Sequence, residues 1–234
     1  MGSETDTVVD FTIEALRDAI RSGRLAQGQR LIVADITRMF SVSAGPVREA
    51  IRRLTGEGLV EIVPHRGASV REITREDIRE IFELREAIEG LAAAQAASRG
   101  DDPVYRETLE TLLKDAEAFV AASDRSSYLE NNREFHDLIY EMANNSRLST
   151  LASQLILPMY QLRLPERMDI NDMVMSQKHH RAIARAIMNS DGESAHDAMV
   201  DHLRWSGQGL MAVVSERATQ TYPKERTRRT SPRN

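Results

Sequence analysis

Histidine is concentrated in the second half of this 234-residue chain. Five of its six histidines lie between residues 136 and 202. His136, His180 and His202 each stand beside apolar residues in a separate segment of helical periodicity, so three helices of a bundle could bring three imidazoles together. Imidazole is a preferred ligand of zinc, nickel and similar divalent ions. The pattern fits a metal site, and it also fits three unrelated histidines that cap carbonyls or lie at the surface.

Signatures of catalysis are sparse in the sequence. The chain has no cysteine, which excludes disulfides, thiolate metal sites and cysteine nucleophiles. It has no HExxH motif, and no general base is evident near the histidines. The residues three positions before the histidines are Arg133, Gln177 and Met199, so the Glu-x-x-His pattern of di-iron bundles is absent. A metal-dependent hydrolase is therefore the least favoured interpretation.

Helical periodicity covers the chain after Ile73. It predicts six helices, at about residues 77–97, 104–122, 126–142, 148–164, 172–190 and 193–217. Pro158 is expected to kink or split the fourth helix. The first helix is expected to face the bundle with an apolar stripe made of Ile78, Ile81, Leu84, Ile88 and Leu91. The three histidines fall on the third, fifth and sixth helices.

The N-terminal third has the element order of a winged helix-turn-helix. Apolar spacing predicts helices over residues 8–22, 32–40 and 44–55, with Ser43 as the N-cap of the third. A β-rich segment at residues 59–63, a turn at residues 65–67 and a return at residues 68–71 predict a small hairpin. The expected fold class is mainly α: a winged helix-turn-helix followed by an all-helical antiparallel bundle.

The third helix has the character of a DNA recognition helix. Its candidate DNA contacts are Ser43, Gly45, Pro46, Arg48, Arg52 and Arg53. The small residues at its start allow close approach to DNA, and Arg48, one turn in, could reach O6 and N7 of guanine in the major groove. Arg52 shares that face, whereas Arg53 points elsewhere, toward phosphate. The alternative is an ordinary surface helix with ion pairs such as Glu49–Arg53, but the adjoining turn and hairpin favour DNA binding.

Charge is distributed unevenly along the chain. The formal charge is 0 over residues 1–73, -10 over residues 74–216 and +5 over residues 217–234. Clustered arginines in the neutral first third can present a phosphate-binding surface, whereas the acidic middle would repel DNA. The basic segment 218–234 has too few apolar residues to fold, so we expect a disordered tail that is either merely solvated or assists DNA binding.

Nothing in the sequence indicates a membrane segment or a secretory signal. No run of about eighteen apolar residues occurs, and residues 1–6 are polar and acidic. Together with the absence of cysteine, this favours a cytoplasmic protein without a membrane partner.

Four short segments of the N-terminal domain carry a family resemblance. They are LRDAI at residues 16–20, PVREAIRRL at 46–54, EGLV at 57–60 and RGASV at 66–70. In order and spacing they resemble the N-terminal domain of GntR-family bacterial transcription regulators. The resemblance implies a wing that enters the minor groove, here with His65, Arg66 and Gly67. Family members commonly have Ser-Arg before the Pro-Val-Arg-Glu run, whereas this chain has Ser43-Ala44, so its operator is expected to differ.

The helical half carries a second resemblance. LREAIE at residues 84–89, FH at 135–136 followed by Asn145, His180 with the apolar residues after it, and AMVDHL at 198–203 resemble the FCD ligand-binding domain of the FadR subfamily. The resemblance implies one divalent ion per chain, zinc, nickel or similar, held by an aspartate and three histidines. His136, His180 and His202 match the histidines. Asn132 stands at the aspartate position, and its uncharged amide is expected to weaken the affinity for the ion.

The same resemblance implies a small organic acid as the effector. One carboxylate of the acid would fill the open positions of the ion, and Arg85 could pair with a second. An ion pair with Glu89 is the alternative role of Arg85. Asn145 and Arg163 are further candidates for effector binding.

These expectations combine into a homodimeric transcription regulator, a repressor in the usual case, that binds a short inverted repeat of double-stranded DNA. The expected parts are a DNA-binding domain at residues 1–73, an effector domain at 74–217 and the tail at 218–234. Effector binding would shift the linker near residues 71–75 and change the spacing of the recognition helices. One alternative is a metal-responsive repressor in which the ion itself is the signal. Another is a binding scaffold that has lost DNA recognition, an interpretation that Ala44 slightly favours.

Overall fold

The computed structural model describes residues 4–65, 67–156 and 168–221. Two predicted site residues, Arg66 and Arg163, lie outside these ranges. Pro158 and the tail from residue 222 onward lie outside them as well.

The N-terminal part has three helices and a two-stranded antiparallel sheet, which confirms the predicted winged helix-turn-helix. The bounds are α1 Glu4–Arg21, α2 Val33–Phe40, α3 Ala44–Gly56, β1 Val60–Val63 and β2 Gly67–Val70. In the hairpin, Val60 pairs with Val70 and Val63 with Gly67. His65 and Gly67 have φ values of 63° and 85°, the left-handed conformation that a tight turn between strands requires.

Aliphatic packing and one ion pair fix α3 on the rest of the domain. The buried core includes Leu16, Ile20, Ile36, Leu54, Leu59 and Val70. Arg17 of α1 donates from Nη2 to both carboxylate oxygens of Glu57, just after α3, at 2.8 and 2.9 Å. Ser43 occupies the predicted N-cap position with an extended backbone, although its side chain makes no capping hydrogen bond. The outer face of α3 is left exposed.

A short linker joins this domain to the next helix. The first helix of the second half begins after Thr74, which forms a reciprocal capping box with Asp77. Arg71, at the end of the wing, forms an ion pair with the same Asp77. The linker is therefore tied to the first turn of that helix.

Helices are the regular secondary structure of the described residues in the second half, as the sequence predicts. The bounds are α4 Arg75–Ala96, a 3₁₀ turn at Ala97–Arg99, α5 Pro103–Ala122, α6 Arg125–Ala143, α7 Ser146–Ile156, α8 Ile170–Met188 and α9 Gly192–Thr221. The last helix extends four residues into the segment that the sequence predicts as a tail. No helix in the described part of the chain is long and apolar enough to cross a membrane.

The predicted apolar stripe of α4 is only partly correct. Ile78 is buried, but Leu84 and Leu91 are 52% and 45% exposed, and α4 instead buries Phe82 and a run of small residues that includes Ala92. The physical reason is close packing against α9. A Cβ atom added at Gly207 of α9 would lie 2.9 Å from the ring of Phe82. Small residues on this face let the backbones of α4 and α9 approach each other closely. A prediction based on large apolar residues does not detect such a face.

Candidate metal centre and nucleic-acid interface

Three helices bring His136, His180 and His202 together inside the helical domain. His136 lies on α6, His180 on α8 and His202 on α9, with 6%, 1% and 4% of their surfaces exposed. One ring nitrogen from each lies within 4.8 Å of the others. The cluster predicted from the sequence is thus present as a geometric arrangement.

Ring packing holds the cluster in place. Phe135 stacks on His180 with ring centroids 4.3 Å apart and an interplanar angle of 18°. The rings of His180 and His202 lie 4.8 Å apart, and those of His136 and His202 lie 5.3 Å apart. These contacts restrict the rotamers that each imidazole can adopt.

The chemistry of the cluster fits a divalent ion. Burial, reinforced by the neighbouring histidines, lowers the pKa of His180 and of His202 well below the ordinary value, so both rings are neutral, the form that binds metal. Nε2 of His180 and Nδ1 of His202 are buried without a hydrogen-bond partner among the described residues. Buried polar atoms normally have a partner, and an ion would supply one.

Glu89 of α4 is a member of this site that the sequence did not reveal. Only 1% of its side chain is exposed, and its Oε2 lies 2.7 Å from Nδ1 of His136. Its Oε1 accepts from Nε of Arg85, so the ion pair weighed as an alternative role for Arg85 is present. The available signal was an acidic residue on the α4 face that also carries Ile78 and Phe82.

Glu89 is ionised in this setting. Burial on its own would raise the pKa of Glu89, but the positive charge of Arg85, its hydrogen bond to the carboxylate and the contact with His136 outweigh that effect and lower the pKa to about 2. Burial and the nearby Glu89 carboxylate raise the pKa of Tyr140, one turn after His136 on α6. A neutral phenol therefore lies beside a charged carboxylate.

Asn132 and Asn145, the other predicted residues of the helical domain that the structure describes, differ in their surroundings. Asn132 is half-buried one turn before His136, and its role as a ligand stays a prediction. Asn145 accepts from the backbone N–H of Arg147 at the start of α7 and lines a polar surface groove that Tyr140 also borders. His196 and His179 are both half-buried. His196 lies beside Asp197, and His179 stacks on Trp205.

On α3, the three predicted arginines are exposed but differ in their partners. Glu49 accepts from Nε of Arg52 at 2.9 Å and from Nε of Arg53 at 3.2 Å. These hydrogen bonds lower the pKa of Glu49 to about 2. Arg48 has no ion pair or hydrogen bond with any residue that the structure describes. Arg48 is thus the most available of the three cations.

Two further observations concern the small residues and the wing. Ser43 and Gly45 are exposed at the start of α3, but Pro46 is buried. The prediction that Pro46 contacts DNA is therefore corrected: it packs into the domain on the buried side of α3.

At the wing, His65 and Gly67 are exposed, and Nη2 of Arg30 lies 3.8 Å from where a Cβ at Gly67 would stand. Arg30, which the sequence did not single out, adds a cation beside the wing.

Both halves of the chain match known families. Residues 9–70 match the family model described as bacterial regulatory proteins, gntR family, and residues 80–204 match the FCD domain. An uncharacterised HTH-type transcriptional regulator from the TAR-I ttuE-ttuC′ intergenic region of Agrobacterium vitis is 34% identical over 138 residues, which cover 58% of this chain and 80% of that protein. The HTH-type transcriptional repressor RspR of Escherichia coli K12 is 26% identical over 193 residues, covering 82% and 84%.

A solved structure agrees with the fold. E. coli McbR/YncC superposes with a TM-score of 0.70 at 22% identity, over 93% of this chain and 100% of that one. The family and these relatives are regulators, which confirms the prediction of a transcription regulator rather than an enzyme. GntR regulators bind DNA through the winged helix-turn-helix, and FCD domains bind small-molecule effectors. The chain belongs to the GntR family of bacterial regulatory proteins, with an FCD domain following its DNA-binding domain.

Proposed function

We propose that this chain is a cytoplasmic transcriptional repressor whose affinity for its operator is controlled by a divalent ion and a small carboxylate in the FCD domain. The observation that carries the proposal is the cluster of three buried imidazoles, two of which have a nitrogen without a partner among the described residues. RspR, a relative over most of its length, is a repressor.

The ion would be held by His136, His180 and His202, with Asn132 as a neutral fourth donor. Zinc, nickel or a similar ion suits such a set of nitrogen ligands. When bound, the ion supplies open positions to which a carboxylate can bind. The protein contributes a buried site in which such a carboxylate would be desolvated and held in one orientation.

Arg85 is the side chain we propose for a second carboxylate of the effector. It is 11% exposed, and its guanidinium lies 4.8 Å from the centre of the Phe82 ring. Nε donates to Glu89, so the two terminal nitrogens are left for a ligand carboxylate. Asn145 and Arg163 stay weaker candidates, since Asn145 caps α7 and Arg163 lies outside the described residues.

DNA recognition is assigned to α3 and the wing. Arg48 would contact guanine in the major groove, Arg52 and Arg53 would contact DNA near it, and His65, Arg66 and Gly67 would approach the minor groove. The backbone at Ser43 and Gly45 is exposed for a close approach to phosphate.

A second copy of this chain is the partner we propose for the exposed face of α4. Ile81, Leu84, Ile88 and Leu91 follow the spacing of a helix–helix seam. Leu151 of α7, 47% exposed, extends the apolar surface, because α7 packs on α4. These apolar side chains could pack against the same side chains of a second copy related by a two-fold axis. Such a homodimer would place two recognition helices on an inverted repeat.

A metal-responsive repressor is a second candidate, because Glu89 already neutralises Arg85. In that case the ion alone is the signal and no organic acid is needed.

The test begins with a DNA sequence selected from a random library by the purified protein. Fluorescence anisotropy then measures its affinity in chelator, with zinc, and with zinc plus a panel of dicarboxylates. We expect zinc and one acid together to change the affinity, and His180→Ala to abolish the change. His196→Ala, at a half-buried histidine on α9, is the matched control. A zinc effect without any acid would favour the metal-responsive repressor, and no change under any condition would refute both.

A further inference from the structure

We propose that Glu89 is a positioning residue of the metal centre: its carboxylate engages Nδ1 of His136 and leaves Nε2 of that ring for the ion. The inference rests on the proposed metal site and adds to it a residue from a helix that contributes none of the three imidazoles. His136, His180 and His202 lie on α6, α8 and α9, whereas Glu89 lies on α4.

The first step is the contact itself. Oε2 of Glu89 and Nδ1 of His136 lie 2.7 Å apart, and both side chains are more than nine-tenths buried. The two atoms are not aligned as a well-directed hydrogen bond, but neither has another partner among the described residues. Each is therefore the available partner of the other. Ion binding at the opposite nitrogen would favour the ring orientation in which Nδ1–H points at Oε2.

The second step is that Glu89 is itself fixed. Oε1 accepts from Nε of Arg85, and the Arg85 guanidinium in turn lies over Phe82. Tyr140 borders the carboxylate from α6. The Glu89 carboxylate is thus held by Arg85 on its own helix and by His136 and Tyr140 on α6. It can therefore fix the orientation of the His136 ring.

The third step is chemical. An imidazole has two nitrogens, and a carboxylate that accepts a hydrogen bond from one of them selects the tautomer and the orientation in which the other binds metal. The same hydrogen bond makes the binding nitrogen more basic. With Asn132 as an uncharged ligand, the carboxylate of Glu89 would strengthen the site through the His136 ring without touching the ion.

A consequence follows for signalling. α4 begins next to the linker, and Arg71 pairs with Asp77 in its first turn. Glu89 is a residue through which this helix contacts the imidazole cluster. Ion binding that aligns His136 would therefore act on α4 through Glu89.

The test compares Glu89→Gln with Glu86→Gln. Glu86 lies on the same helix and pairs with Arg204 at 3.0 Å, so its variant also loses an ion pair but leaves His136 untouched. Zinc affinity is measured for each full-length protein by competition with a chelating dye. We expect Glu89→Gln to weaken zinc binding by about 10- to 100-fold, and Glu86→Gln to bind as the wild type does.

A second readout does not depend on zinc. Long-range proton–nitrogen spectra of metal-free protein labelled at histidine report the tautomer of His136. We expect the Nδ1–H form in the wild type and in Glu86→Gln, and a shift away from it in Glu89→Gln. If Glu89→Gln fails to fold, the variant Arg85→Gln with Glu89→Gln removes both charges and is measured in its place, with the same expected loss of zinc affinity.

The outcomes separate this inference from the function on which it rests. A wild-type protein that binds no zinc would overturn both. A wild type that binds zinc tightly, with Glu89→Gln equal to Glu86→Gln in affinity and tautomer, would overturn the role of Glu89 alone.

Discussion

At the scale of single residues, the buried histidines differ from ordinary packed ones because two of them have an unpaired nitrogen. His180 and His202 are 1% and 4% exposed, and each has one ring nitrogen with no partner among the described residues. A buried polar group without a partner costs about 1–3 kcal/mol of stability. A protein that keeps two such groups adjacent to each other gains from a ligand that satisfies both at once.

The lowered pKa values of His180 and His202 predict how the metal-free protein responds to acid. Both rings stay neutral when folded but accept protons below pH of about 6.5 when unfolded, so the unfolded state binds more protons as the pH falls below that value. We expect the free energy of unfolding, measured with urea in the presence of chelator, to fall between pH 7.5 and pH 5. A variant with both histidines replaced by glutamine should lose less free energy of unfolding over this pH range. A variant with the same pH profile as the wild type would contradict the burial of the two histidines in their neutral form.

Arg48 provides the residue-scale prediction for DNA. Because it is exposed and has no partner among the described residues, whereas Glu49 holds Arg52 and Arg53, we expect Arg48→Ala to cost about 1–3 kcal/mol of binding to the selected operator and to relax its sequence preference. Arg52→Ala should weaken binding less and uniformly across sequences. Anisotropy titrations on the operator and on scrambled DNA distinguish the two effects. A larger and more sequence-specific loss in Arg52→Ala than in Arg48→Ala would assign base recognition to Arg52.

The sequence was sufficient to find the three histidines but not Glu89. Histidines beside apolar residues on three predicted helices fit a buried cluster, and the FCD resemblance favoured that cluster over unrelated surface histidines. An acidic residue four positions after Arg85 fits an ion pair on the surface of a helix as well as it fits a buried carboxylate. Small residues that allow close packing with α9 decide which side of α4 faces the core. This packing depends on both helices, so the sequence of α4 alone does not reveal it.

At the scale of elements, the order and type of the helices could be predicted because apolar periodicity and capping residues are local signals. The capping boxes at Thr74 and Asp169 mark where α4 and α8 begin. The orientation of α4 could not be predicted, because Leu84 and Leu91 belong to the apolar stripe that periodicity gives and yet lie at the surface.

Close packing of α4 and α9 leads to a prediction about two glycines of α9. An added Cβ at Gly207 would meet the Phe82 ring at 2.9 Å, whereas at Gly209 it would meet nothing within 4 Å. We expect Gly207→Ala to destabilise the protein by about 1–3 kcal/mol through overpacking. Gly209→Ala should stabilise it by about 0.5–1 kcal/mol, because alanine favours the helix. Urea unfolding of both variants tests this, and equal effects would mean that the helices are not in close contact there.

At the scale of the whole molecule, one chain presents one recognition helix, so binding to an inverted repeat requires a second copy. The exposed apolar face of α4 is the surface proposed for it. We expect Leu84→Glu to convert the dimer into a monomer, because two like charges would meet across the two-fold axis. Val104→Glu, at an apolar residue of α5 that is 67% exposed, is the matched control. Light scattering after size-exclusion chromatography gives the mass. A Leu84→Glu protein that remains a dimer would show that the interface does not lie on this face of α4.

Native mass spectrometry of untagged protein purified without chelators shows whether the FCD domain holds an ion. We expect a dimer with one divalent ion per chain in the wild type and in His196→Ala, and the same dimer without ions in His180→Ala. A wild-type dimer free of metal, or a His180→Ala protein that keeps its ions, would contradict the three-histidine centre.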